Sequence, residues 1–310
     1  MMLPPWVREN VPLAGLTTFG IGGPARWLAE PATRGELAET LALARKLTVP
    51  FRMLGGGSNL LVSDTGISAL VIRLSHSGEF GKMDVDPSQP LHWRVGAAVG
   101  LQELVGAAGR RGAAGLEALA GIPGTAGGAA AMNAGGAGFD IGHFIAAVEV
   151  FRLDGESRVM VPPELFFAYR KSALAGMAAV ELHFRFSAEA EPEKLLARMR
   201  DCRERKRMRQ PLNIPSAGCI FRNPPGHSAG MLLDQAECKG MREGGAEVSS
   251  SHANFIINRG NASAYDVAVL AKRMREAVLS DSGVELKPEI VLWGDDPAFT
   301  ELTGAQNDHQ

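Results

Sequence analysis

Two glycine-dense segments constrain this chain most. One is Gly55-Gly56-Gly57-Ser58-Asn59, leading into Leu60-Leu61-Val62; the other is Gly121-Ile122-Pro123-Gly124-Thr125-Ala126-Gly127-Gly128, continuing through Asn133 to Gly136. Such clusters mark backbone that takes positive φ or approaches another group closely, because glycine has no Cβ to forbid either. Successive small residues also let several N–H groups converge on one anion, which suits the diphosphate of a dinucleotide. On the residues alone two readings stay open: a phosphate cradle, or two tight loops joining packed elements. Neither segment is a P-loop or a Rossmann turn, since no Gly-x-Gly-x-x-Gly opens a helix and no Gly-Lys-Ser/Thr follows.

Around these loops the pattern is α/β. Strands are expected at Trp27–Glu30, Phe51–Leu54, Leu60–Val62, Ala69–Arg73 and Leu91–Val95, with a helix from the Thr33 cap to Leu47 and another over 101–109. Glu36 is placed to complete a capping box with Thr33. A hairpin is expected around Asp154-Gly155, joining Ala146–Leu153 to Arg158–Val161, followed by a strand over 178–186. The acidic, proline-containing stretch Ala188–Glu193 reads as a domain boundary, and beyond it alternating helices and strands form a second α/β unit. The 310 residues leave room for both.

Composition excludes several classes. A formal net charge of -2 carries no nucleic-acid footprint. The basic stretch Arg203–Arg209 falls in a helical pattern and reads as a solvated face. No apolar run approaches the roughly 20 residues of a membrane helix, and the first ten residues lack the apolar core of a signal peptide. Three cysteines, Cys202, Cys219 and Cys238, show no metal-ligand spacing; no metal site is expected, and a reducing, cytoplasmic compartment is.

The ordered motifs, taken together, carry a resemblance. Thr18-Phe19-Gly20-Ile21-Gly22-Gly23-Pro24-Ala25 precedes the two glycine loops; Tyr169-Arg170-Lys171-Ser172 follows them. Then come Pro215-Ser216-Ala217-Gly218-Cys219-Ile220-Phe221-Arg222-Asn223-Pro224, the stretch Ala229 to Gln235, His252-Ala253-Asn254-Phe255 and Pro288-Glu289-Ile290. This series resembles the UDP-N-acetylenolpyruvoylglucosamine reductase (MurB) family over nearly the whole chain. With only Tyr169 and Tyr265, and no tyrosine between Arg170 and Cys219, it looks like the shorter subtype lacking the tyrosine loop.

The resemblance implies an α/β fold: an FAD-binding fold of the vanillyl-alcohol-oxidase type in two subdomains, 1–75 and 76–190, and a C-terminal substrate-binding domain over 191–310. It implies noncovalent FAD, NADPH as hydride donor, a nucleotide-sugar substrate, and a monomer engaging neither nucleic acid nor membrane. The flavin would be held by Gly55, Gly56, Gly57, Ser58 and Asn59 on one loop, and by Gly121, Gly124, Thr125, Gly127, Gly128 and Asn133 on the other. Hydride added to the enolpyruvyl group leaves an enolate that needs a cation or donor and an acid. Arg170 and Glu289 would supply the electrostatic part, with Glu289 protonated or paired. Tyr169, Arg207 and Asn223 would bind substrate. The family's usual acid is serine; here Cys219 stands in its place, a thiol that is intrinsically the stronger acid. The competing expectations are a flavin-dependent oxidase of the same fold and an inactive flavoprotein that binds a nucleotide sugar.

Overall fold

The computed structural model describes residues 2–136 and 139–303. Thr33 acts as its position before an amphipathic run suggests: its hydroxyl accepts the Glu36 N–H and opens helix α1 (Arg34–Leu47). Glu36 reaches back not to Thr33 but one residue further, taking the Ala32 N–H at 2.6 Å, so an orphan donor outside the helix is satisfied in place of a strict capping box. Leu37, Leu41 and Ala44 face inward, and Thr48, left-handed at φ 53°, ends the helix ahead of Pro50.

The chain divides into two compact units. The first holds Met1–Glu9, Trp27–Gly56 and Ala69–Arg205; the second holds Asn10–Arg26, Gly57–Ser68 and Lys206–Gln310. One four-stranded sheet runs in the order β1 (Val7–Pro12), β2 (Pro24–Ala29), β5 (Ile67–Ile72), β3 (Phe51–Met53), with β3 parallel to β5. The first unit contains a five-stranded sheet ordered β11 (Ser157–Met160), β10 (Ile145–Phe151), β12 (Ala178–Arg185), β7 (His92–Gly96), β6 (Met83–Val85), every pair antiparallel. β10 and β11 form the expected hairpin, and Gly155 takes φ 87° in its turn. Helices α2 (Leu101–Arg110) and α3 (Ala126–Ala131) contribute Leu104, Val105, Ala108, Ala126 and Ala130 to the apolar core of this unit.

Helix α4 (Pro192–Arg209) begins where the sequence suggested a boundary, yet the first unit continues through it to Arg205. Leu195, Met199 and Cys202 form its buried stripe, and the Cys202 thiol donates to the Ala118 and Ala120 carbonyls at 3.5 and 3.6 Å. A buried face at helical spacing thus outweighs the acidic break before it.

In the second unit β13 (Ser216–Cys219), β16 (Phe255–Asn258), β15 (Ala246–Val248) and β14 (Arg242–Glu243) form an antiparallel sheet. β4 (Leu60–Val62) pairs in parallel with β17 (Val291–Trp293). Helices α5 (Ala229–Gln235), α6 (Ala264–Ser282) and α7 (Pro297–Thr303) complete it around Phe221, Leu233, Ile256, Leu270 and Met274. Among the described residues no helix is long and apolar enough to cross a membrane, and no cluster of three or more His, Cys, Asp or Glu could hold a metal.

Candidate active site

The glycine loops meet backbone to backbone in the first unit. A Cβ on Gly56 would lie 2.6 Å from Gly124 Cα, and one on Gly55 would lie 2.9 Å from Thr125 Oγ1. No side chain fits at either place, so sequence and contact distance require glycine together. The second loop is held by its own bonds. Gln102, on α2, accepts the Gly121 N–H at 2.7 Å and donates to the Leu119 and Ile122 carbonyls at 3.0 and 2.7 Å. Gly127 N–H goes to Ala97 O at 2.9 Å, and Gly128 N–H to the Thr125 hydroxyl at 3.2 Å. Three of the expected flavin-binding glycines therefore spend their donors on holding the loop. Among the described residues no internal acceptor meets the N–H groups of Gly55, Gly56, Gly124 or Thr125. Backbone N–H groups of residues that carry no side chain are the kind of donor a diphosphate takes. Gln102 was not legible in the sequence because its signal, one polar residue at the start of an otherwise apolar helix face, is common.

Tyr169 and Arg170 sit at the corner of a tight turn closed by two backbone bonds between Ala168 and Lys171, at 2.9 and 3.1 Å. Arg170 is left-handed at φ 54°, its guanidinium lies 5.1 Å from the centre of the Tyr169 ring, and its Nη2 reaches Gly135 O at 3.4 Å. Asn133 is buried at 3% exposure, with Oδ1 and Nδ2 bonded to Gly142 and Ala168 within the protein.

The second unit carries the remaining candidates. Gly57 is left-handed at φ 61°, and a Cβ there would stand 2.1 Å from Leu16 O. Thr18 fastens this corner, its N–H donating to Gly57 O at 3.0 Å and its hydroxyl to Ser216 O at 2.7 Å. The Ser58 carbonyl lies 4.0 Å from the Cβ position of Gly218, so the loop runs beside the strand carrying half-buried Cys219. Asn59 donates to Glu289 O at 3.2 Å while its carbonyl takes the Val291 N–H at 3.0 Å. Glu289 donates its own N–H to Ile220 O at 2.7 Å, which sets Cys219 and Glu289 on directly bonded neighbouring segments. Asn254 locks the far side: its N–H-bearing and carbonyl atoms both bond Phe221, at 2.8 and 2.9 Å. Burial and the nearby Lys239 hold His252 below the usual histidine range, and its Nδ1 accepts the Asn254 N–H. Both residues shape the site. Asn223 is exposed and accepts the Ala229 N–H at 2.9 Å at the start of α5, while Arg207 lies exposed in the last turn of α4. Arg222, between Cys219 and Asn223 in sequence, has a buried Nε with no partner among the described residues. An orphaned buried donor is costly unless a ligand supplies its acceptor.

A profile of the UDP-N-acetylenolpyruvoylglucosamine reductase C-terminal domain matches residues 210–293, and an FAD binding domain profile matches residues 25–160. The UDP-N-acetylenolpyruvoylglucosamine reductase 2 of Symbiobacterium thermophilum is 43% identical over 294 residues, covering 94% of each chain. The reductase of Moorella thermoacetica is 41% identical and covers 93% of this chain and 94% of its own. The crystal structure of the MurB reductase from Thermus caldophilus superposes with a TM-score of 0.81 at 41% identity, over 93% of this chain and all of that one. This chain belongs to the UDP-N-acetylenolpyruvoylglucosamine reductase family. Its fold is the mixed α/β fold of that family, an FAD-binding domain with a MurB C-terminal domain. The meeting of Gly56 with Gly124, where a Cβ would stand 2.6 Å from Gly124 Cα, fits the FAD expected of a family member.

Proposed function

We propose that this protein reduces UDP-N-acetylglucosamine enolpyruvate to UDP-N-acetylmuramate in peptidoglycan synthesis, as a cytoplasmic monomer using noncovalent FAD and NADPH. When bound, FAD would supply two-electron hydride chemistry between NADPH and the enolpyruvyl group, held by the backbone of the two glycine loops. The chain's own residues then manage charge and protons. Arg170 grips the substrate carboxylate through its guanidinium fork and disperses the enolate charge. The Cys219 thiol gives its proton to C2, completing addition of H⁻ and H⁺ across the double bond. Glu289, protonated or paired, lends a hydrogen bond to the developing anion. Tyr169, Arg207 and Asn223 serve substrate binding, and the backbone of the glycine loops holds the diphosphate of FAD. In domain terms FAD binding falls to 1–75 and 76–190 and substrate binding to 191–310.

The observation that supports this reading is the 2.7 Å bond from Glu289 N–H to Ile220 O, which ties the backbone of Glu289 to the segment that carries Cys219. The test uses FAD-loaded protein without oxygen. NADPH should bleach the flavin, and UDP-N-acetylglucosamine enolpyruvate should restore its absorbance with stoichiometric UDP-N-acetylmuramate. Flavin reoxidised only by oxygen would point to an oxidase; flavin that NADPH cannot reduce would point to an inactive binding protein.

A further inference from the structure

Asn133 belongs to a glycine loop in sequence, but its bonds lead elsewhere. It follows α3 at φ 41°, where its backbone N–H bonds Ala130 O at 3.0 Å. Its Oδ1 faces an N–H, that of Gly142 at 3.0 Å; its Nδ2 faces two oxygens, Ala168 O at 2.9 Å and Asp140 Oδ2 at 3.4 Å. Those neighbours fix the orientation of the amide, because a flip would oppose like groups at all three contacts. Both Nδ2 hydrogens are spent inside the protein, leaving none for a flavin.

Ala168 is the first residue of the turn that presents Arg170. Its carbonyl takes two bonds, one from Lys171 N–H across the turn and one from Asn133. The same turn is tied at two more points to the segment that continues the second glycine loop: Arg170 Nη2 to Gly135 O at 3.4 Å, and the buried Ser172 hydroxyl to Ala131 O at 2.8 Å. Arg170 itself occupies a left-handed conformation that costs a non-glycine residue energy and persists only where its surroundings over-determine it. Asn133 ties this turn at Ala168, two residues before Arg170.

We propose that Asn133 is a positioning residue for Arg170, not a flavin ligand; this rests on the carboxylate-binding role given to Arg170 above. Asn133→Asp keeps the shape, the acceptor toward Gly142 and tolerance of the left-handed backbone, but replaces the donor to Ala168 O with an oxygen. Asn133→Gly keeps the backbone conformation and removes the side chain. Both should retain FAD and be reduced by NADPH within about twofold of the unaltered enzyme, while reoxidation by the enolpyruvyl substrate slows roughly 10- to 100-fold. In an Arg170→Lys background, Asn133→Asp should cost less than about twofold more, since its effect passes through Arg170. A residue needed only for folding would not split the half-reactions, and a flavin ligand would lower FAD occupancy or reduction. Parallel loss of both half-reactions, or full additivity with Arg170→Lys, overturns the proposal. Failure of the unaltered enzyme to be reoxidised by the substrate instead removes the activity on which the proposal stands, and is seen before any variant is compared.

Discussion

At the scale of the residue, the informative position is Cys219, where the resemblance leads one to expect serine. Cys219 is half-buried, whereas Cys202 and Cys238 are buried. Burial pushes the Cys238 thiol up to about 11, and the Cys202 thiol donates to two carbonyls. Thiol reagents should therefore act at Cys219 first. Cys219→Ser should restore the family's usual acid and keep turnover within about tenfold, while Cys219→Ala should lower flavin reoxidation by roughly 10²- to 10⁴-fold and leave NADPH reduction intact. Stopped-flow measurement of each half-reaction checks this, and oxidants should no longer inactivate Cys219→Ser. Equal damage to both half-reactions in Cys219→Ala would remove the thiol from the chemistry. Cys219 and Glu289 were singled out by motifs whose order is specific, and the Glu289–Ile220 bond joins the backbone segments that carry them. Sequence order could not show that Asn133 turns to Ala168, or that Gln102 holds Gly121, since those partners are set by three-dimensional contact alone.

At the scale of elements, α1, α2 and the β10–β11 hairpin were legible because helical period, the Thr33 cap and Asp154-Gly155 each specify one local structure. β1 was not. Only Val7 of its six residues is buried, so no alternation marks it as a strand. α3 was missed for another reason: its glycines argue against a helix locally, but a Cβ on Gly127 would lie 2.8 Å from Ala97 Cβ, so close packing decides. Arg34 shows how elements are then joined. Glu149 on β10 stands directly opposite Glu181 on β12, a repulsive pairing. Arg34, the first residue of α1, lies 3.0 and 3.5 Å from these two carboxylates and 3.1 Å from Glu79. Its side chain is 37% exposed, so solvent screens part of the attraction. Arg34→Met should cost about 1 kcal/mol in chemical denaturation at low salt, less at high salt. Adding Glu149→Gln should recover part of the loss. No recovery would mean that Arg34 acts through packing.

At the scale of the whole molecule, the sequence suggested a cut near residue 190, whereas the compact units interleave segments 10–26 and 57–68 with the C-terminal region. Nothing in composition changes at Gly57. The assignment follows from long-range bonds such as Asn258 Nδ2 to Phe19 O at 3.0 Å and the pairing of Leu60–Val62 with Val291–Trp293. Glu247, in the second unit, should contribute to the acid limb of stability. Glu247 is 4% exposed and is held by Arg259 at 2.7 Å and Arg242 at 2.6 Å. The hydrogen bond from Arg259, then the charge of Arg242, keep its carboxyl below the usual range despite burial. A depressed folded-state pKa adds stability that is complete above the unfolded value of about 4.3 and is lost as pH falls through the folded one. Glu301, also lowered, is exposed beside Lys272, so salt should erase its share and not that of Glu247. At high salt the denaturant midpoint of Glu247→Gln should lie below that of the unaltered protein at neutral pH, and the gap should close as pH falls below about 4. A gap that stays constant from neutral to acid pH would assign the role of Glu247 to shape, because only an ionised carboxylate gives the pair its pH dependence.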